Sequence, residues 1–208
     1  MKKLIAVTLG ILLVFIAYSA TKNTALGAES AGPAVGMRIE SFTTKDLSGN
    51  DVDSSILEKA ELTVINYWAT WCSPCIMEMP DFTEFHKHFS ETPEADVQLI
   101  GVICEGNGCT PTTARRYLSE NGLEWTNIRS TAELDKVFYT SNSIPQTLVV
   151  DKTGKVLMHK IGAFMSYDQM LESIKPYMDG TAAESSAPIG AGSETIGAKP
   201  KAASCLGF

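Results

Sequence analysis

Cys72 and Cys75 enclose Ser73 and Pro74 directly after the run Tyr67-Trp68-Ala69-Thr70-Trp71. Two thiols at that spacing, placed where an apolar strand gives way to a helix, suit a reversible disulfide couple. Only a thiolate attacks a disulfide, and an ordinary cysteine near neutral pH is mostly protonated. The unpaired N–H groups and positive dipole end of a helix start stabilise an anion on Cys72. Cys75, one turn along, can attack a mixed disulfide formed at Cys72 and release the reduced substrate. Pro74 falls in the first turn, where a missing N–H costs little, and Ser73 adds no charge. Cys72 therefore reads as the nucleophile and Cys75 as the resolving thiol. A zinc site would want a second Cys/His pair at ligand spacing, and none follows at finger distance. No metal and no other cofactor is expected.

The elements that must hold this pair alternate between strand and helix. Residues 62–68 are an almost unbroken apolar run, as in a parallel strand covered on both faces. After Cys72, a helix puts Ile76, Met79, Phe82, Phe85 and Phe89 on one inward face, with Pro80 expected to kink it. Residues 97–104 read as a second buried strand. Thr110, Pro111 and Gly122 bracket a helix, and Ser130 with Glu133 has the spacing of a capping box for another. Residues 147–150 and 156–161, joined by Asp151-Lys152-Thr153-Gly154, form a hairpin. Ser166 with Gln169 opens a last helix whose Leu171, Ile174 and Met178 face inward. A shorter hairpin, residues 40–44 and Val52 around Leu47-Ser48-Gly49-Asn50, precedes all of this.

This order, with the thiol pair after the first central strand, resembles the thioredoxin fold, and the chain is similar to its TlpA/ResA-like branch. The carriers are Asn66 to Cys75 with Glu78-Met79-Pro80, then Ile144-Pro145-Gln146-Thr147, then Asp151 to Gly154. The resemblance spans about Met37 to Met178. It implies an α/β domain with a central mixed sheet flanked by helices, an N-terminal β-hairpin and an inserted helix. It also implies a thiol-disulfide oxidoreductase of the protein-disulfide reductase type. By the same resemblance Pro145 follows a cis peptide, faces Cys72 and presents the Ile144 backbone to an extended substrate. Trp71, Ser73, Pro74, Ile144 and Pro145 are thus the expected substrate contacts, although packing alone explains Trp71 equally well. Asn66 stands where cytoplasmic thioredoxins keep a buried acid. The branch instead has a glutamate just after the second central strand, where Glu105 falls. Burial would let that carboxyl exchange a proton with Cys75; otherwise it is a solvated loop acid. The implied partners are a disulfide-containing protein, apocytochrome c among them, and a membrane thiol-electron donor.

Three cysteines lie outside this pattern. Cys104 and Cys109 enclose Glu105-Gly106-Asn107-Gly108 and are expected either as a structural disulfide or as a second redox couple that tunes Glu105. Cys205, near the C-terminus, is the odd thiol, free to pair between molecules, to remain idle or to visit the active site. His86, His88 and His159 have no nucleophilic or metal spacing, and the first two read as surface residues. Two other readings of the Cys72–Cys75 couple exist, an oxidising disulfide donor or isomerase and a Cu(I)-binding module without turnover. A peroxidase would want proline seven and threonine three residues before its cysteine, where this chain has Ile65 and Ala69.

The rest of the chain suits work outside the cytoplasm. Lys2 and Lys3 precede an uncharged stretch, residues 4–20, that reads as a signal peptide cleaved near Ala28 or as an N-terminal membrane anchor. Residues 29–36 read as a linker, 37–179 as the single domain and 180–208 as a disordered Gly/Ala/Ser-rich tail. Removing residues 1–28 takes away three lysines and no acid, moving the formal charge from −7 to −10. That charge excludes nucleic acid as a partner, because phosphate binding needs a basic face. The expected location is the periplasm or the outer face of the cell membrane.

Overall fold

Residues 62–68 are buried at every position, and that continuous burial makes them the central strand of the sheet. The computed structural model describes residues 32–92, 95–180 and 182. The export segment, nearly all of the tail and Cys205 lie outside them. Two short strands, β1 (Thr43–Lys45) and β2 (Asp51–Asp53), pair antiparallel as the predicted hairpin. A 3-10 turn, Ser54–Lys59, leads into β3 (Leu62–Trp68). Then come α1 (Ser73–Glu91), β4 (Val97–Ile103), α2 (Pro111–Glu120), β5 (Thr126–Arg129) and α3 (Ala132–Phe138). The hairpin β6 (Gln146–Asp151) and β7 (Val156–Ile161) and the helix α4 (Tyr167–Met178) complete the domain.

The main sheet has the order β5-β4-β3-β6-β7, with β3 parallel to β4 and antiparallel to β6. Alternate residues of β3 point to opposite faces. Tyr67 stacks on Phe138 of α3 at 4.3 Å between ring centroids. On the other face Asn66 meets Glu78 of α1, and Trp68 meets Tyr117 of α2. The indole N–H of Trp68 donates to Asn127 Oδ1 at 2.9 Å. Gly101, paired with Asn127 across β4 and β5, makes room for that amide, since a Cβ there would lie 1.8 Å from its oxygen.

Both sheet edges are covered, which removes free strand groups that would pair with another chain. At β5 the Leu47 N–H donates to Asn127 O, and Thr44 Oγ1 donates to Arg129 O. At β7 the segment of residues 32–39 is laced down the edge: Gly32 N to His159 O, Gly36 N to Val156 O, Val156 N to Met37 O and Ile39 N to Gly154 O, each 2.9–3.0 Å. The stretch read as a linker is therefore, over residues 32–36, an arm bound to the domain, with Ala34 fully buried.

Other differences have local causes. β5 has only four residues, TNIR, too few for a period to stand out, and its pairing with β4 makes it a strand. The helix expected to be capped by Ser130 is capped by Thr131, which accepts from Leu134 N, while Ser130 donates to Asp135. In α4 Met170 and Ile174 are the buried residues, whereas Leu171 and Met178 pack at the margin. α1 runs through Pro80 as one helix. His86, read as a surface residue, is half-buried against Trp125.

Candidate active site at the Cys72–Cys75 turn

Three strand ends bring the site together. β3 stops at Trp68, and Cys72 N donates to Ala69 O, turning the chain so that Cys72 caps α1. β4 runs parallel beside it, with Cys104 N donating to Trp68 O at 2.8 Å, which puts Glu105 at the same sheet edge. β6 runs the other way and opens here. Tyr67 pairs with Gln146, so the cis Ile144–Pro145 peptide lies level with the start of the cysteine turn. Gly162 N donates to Pro145 O at 2.9 Å and fixes that loop to the segment after β7.

Cys72 and Cys75 form a disulfide, with S–S 2.10 Å and Cα–Cα 5.2 Å. Cys75 is fully buried and Cys72 is 4 % exposed. Cys75 N donates to Cys72 Sγ at 3.2 Å, so the capping position places a helix N–H against the Cys72 sulfur. Pro74 sits in the first turn, as expected. The Trp71 indole N–H donates to Gly106 O at 3.0 Å, which ties the aromatic beside Cys72 to the loop after β4.

Glu105 differs from the expectation. Its carboxylate makes two hydrogen bonds with Arg129, from Nε at 2.7 Å and from the Nη2 nitrogen at 3.1 Å, and its side chain is 34 % exposed. The carboxylate is partly exposed rather than buried, and β5 brings a guanidinium to it at this edge. The expected Cys104–Cys109 disulfide is not formed either, and Cys109 is a free, buried thiol. Gly106 and Cys109 exchange backbone hydrogen bonds of 3.0 and 2.8 Å around Asn107 and Gly108, both at positive φ. That tight turn sets Cys109 opposite residue 106, two residues beyond Cys104.

The carboxyl that lies behind the couple is Glu78, to which the sequence reading assigned no chemical role. It is fully buried on the first turns of α1, three residues after Cys75 and hence on the same side of the helix. Asn66 Nδ2 donates to its Oε1 at 3.0 Å, and Phe164 N donates to its Oε2 at 2.9 Å. Burial pushes its pKa up from 4.5 to about 7, and the two hydrogen bonds oppose that rise only in part. The acid lacking at position 66 is thus supplied by the facing helix, with Asn66 as its hydrogen-bond donor. The signal was present: residues 75, 78, 79, 82, 85 and 89 make one inward stripe, and Glu78 is its one acid. Chemically, the turn can cycle between dithiol and disulfide beside a carboxyl that titrates near neutral pH.

Comparison with known proteins agrees with this chemistry. A model of the AhpC/TSA family matches residues 35–159. Thiol-disulfide oxidoreductase ResA of Geobacillus thermodenitrificans is 26% identical over 177 residues, covering 84% of this chain and 98% of that protein. Sporulation thiol-disulfide oxidoreductase A of Bacillus subtilis is 28% identical over 162 residues, 77% of this chain and 90% of that one. The crystal structure of StoA from Bacillus subtilis superposes with a TM-score of 0.53 at 27% identity, over 68% of this chain and 98% of that chain.

Proposed function

Because this chain belongs to the AhpC/TSA family and is a thiol-disulfide oxidoreductase of the ResA and StoA type, we propose that it reduces disulfides of exported proteins. The observation that carries the reading is Glu78, a buried carboxyl titrating near neutrality on the helix face of the resolving thiol. Residues Ile65 and Ala69 keep the turn away from a peroxidase pattern.

The reduced protein attacks with the Cys72 thiolate, which the start of α1 stabilises, and forms a mixed disulfide while the first substrate thiolate leaves and takes a proton. Cys75 then gives its proton to Glu78 and attacks Cys72 Sγ. The second substrate thiolate leaves, and the enzyme is left as the Cys72–Cys75 disulfide. Two electrons have passed to the substrate, whose two thiolates take their protons from solvent, and Glu78 releases to solvent the proton it took from Cys75. A dithiol donor at the membrane reverses the sequence on the enzyme. Ile144 and Pro145 offer backbone to an extended substrate segment, and Trp71 with Ser73 and Pro74 borders it. Glu105, paired with Arg129, serves to hold the loop that carries Gly106 rather than to move the proton.

Residues 4–20 export the protein and either anchor it or are cleaved. No helix among the described residues is long and apolar enough to cross a membrane. The substrate class we favour is a cysteine pair in an extended, unfolded segment, as in apocytochrome c before haem attachment. Equilibration in graded thiol/disulfide buffers, followed by alkylation and mass analysis, tests the direction. A strongly reducing potential for Cys72–Cys75 supports a reductase, and an oxidising one recasts the protein as a disulfide donor or isomerase.

A further inference from the structure

His159 is a second buried titratable side chain, 3 % exposed on β7, and the chemistry above does not use it. Ala34 N donates to its Nδ1 at 3.2 Å, so Nδ1 carries no proton. The proton is therefore on Nε2, which donates to Gln146 Oε1 at 2.9 Å. The Gln146 amide nitrogen donates in turn to Ser143 O at 2.6 Å and to Ser141 O at 3.4 Å. Ser143 immediately precedes Ile144–Pro145, and Gln146 immediately follows. One directed chain of hydrogen bonds thus runs from the N-terminal arm through a neutral imidazole to the backbone of the cis-proline loop.

The arm fits this imidazole closely. A Cβ on Gly32 would lie 2.4 Å from His159 O and 2.7 Å from the ring carbon Cγ, so only glycine permits the approach. Among the described residues, those bonded to, paired with or packed on the ring in these contacts do not titrate: Gly32 and Ala34 from the arm, Gln146 and Leu148 from β6. Burial lowers the His159 pKa, and no charged neighbour contributes.

We propose that His159, acting through Gln146, is a positioning residue of the substrate-binding loop, and that docking of the N-terminal arm on the same imidazole sets how well that loop receives a protein disulfide. A proton added at Nδ1 turns the acceptor into a donor facing the Ala34 N–H. The arm then loses its hydrogen bond in a buried place, while Nε2 goes on donating to Gln146, so the loop keeps its bond to the ring but the ring loses the arm that seats it. The folded protein favours the neutral ring, so the docked state is intact above the ordinary histidine pKa of about 6.5 and weakens as pH falls below it. This inference rests on the reading of Ile144–Pro145 as a substrate contact.

The test uses the full-length chain with insulin as the protein disulfide and 5,5′-dithiobis(2-nitrobenzoate) as a small one. Gly32→Val displaces the arm, because its side chain cannot share the space of the His159 carbonyl and ring, and leaves the histidine itself in place. It is expected to raise KM for insulin about three- to tenfold, the value of one neutral hydrogen bond, with kcat and the small-disulfide rate unchanged. Gln146→Leu should raise KM similarly, and the double variant should be no worse than Gln146→Leu. In the unsubstituted chain, NMR should show the Ala34 and Gln146 amides titrating with the midpoint of the His159 ring. His159→Gln, which can accept and donate but not ionise, should keep the neutral-pH KM and lose its rise in acid. Additive KM effects, or amides that titrate independently of the ring, would overturn the coupling. If Pro145→Ala leaves the insulin KM unchanged, the substrate contact itself fails, even where the amides and ring titrate together.

Discussion

Two acids stand at the same end of the sheet within a few residues of a cysteine, and their surroundings are opposite. Glu78 is fully buried, receives one amide N–H from Asn66 and one backbone N–H from Phe164, and forms no ion pair among the described residues. Glu105 is partly exposed and is gripped by both arms of a guanidinium. A carboxyl that must take and return a proton near pH 7 needs burial without a bound cation. The difference teaches that sequence proximity to a redox couple is a weaker guide than the elements that close over the acid. α1 and the segment after β7 enclose Glu78, and β5 delivers Arg129 to Glu105.

The strongest way to break this comparison is at the couple it serves. Cys72→Ser should abolish insulin reduction, and Cys75→Ser should accumulate a mixed disulfide visible on a non-reducing gel; full turnover by Cys72→Ser would remove the nucleophile assigned here.

Next in size is the contrast between the acids themselves. Glu78→Gln should slow exchange roughly 100-fold, the low end of general acid–base contributions, and flatten the pH–rate profile around 7. Glu105→Gln in the same assay should change the rate less than about twofold, because an exposed ion pair contributes little. Equal effects of the two variants would erase the distinction.

Stability offers a smaller, independent check. The pKa of Glu78 is raised from 4.5 to about 7 on folding, so the native state holds a proton that the unfolded chain has released between those values. With respect to this group, stability of the oxidised protein should therefore be full below pH 4.5 and fall as pH rises to 7, by up to about 3 kcal/mol. Urea unfolding at several pH values should show that slope, and Glu78→Gln should remove it.

The smallest effect belongs to the loop after β4. Arg129→Met should cost about 0–1 kcal/mol, and less as salt is added. A loss of several kcal/mol in the same urea titration would mean that the pair acts as a buried one.

Much of the couple was readable along the chain because its logic is local. A strand that is apolar at every position, a turn, two thiols one helical turn apart and Pro74 in the first turn all lie within residues 62–75, and backbone sterics with burial place them together. The cis bond before Pro145 was also anticipated, but from the resemblance rather than from the residues around it. Short-range patterns failed where the partner is remote. The strand Thr126–Arg129 exists because β4 pairs with it, and that strand carries Arg129 to Glu105 across 24 residues of chain. The Cys104–Cys109 spacing suited a disulfide, yet residues 106–108, all at positive φ, make a tight turn there and Cys109 stays a free thiol.

What the order of residues determined is the reactive pair, its helix-capping position and the alternation of elements that builds the sheet, since each depends on contacts within a turn or on a period along one element. What folding alone decided is which carboxyl is buried on the helix beside that pair, and what the buried His159 holds. Glu78 meets Phe164 across 86 positions and His159 meets Ala34 across 125, and burial, which sets the protonation of both, is a property of the packed layers and not of any neighbour in sequence.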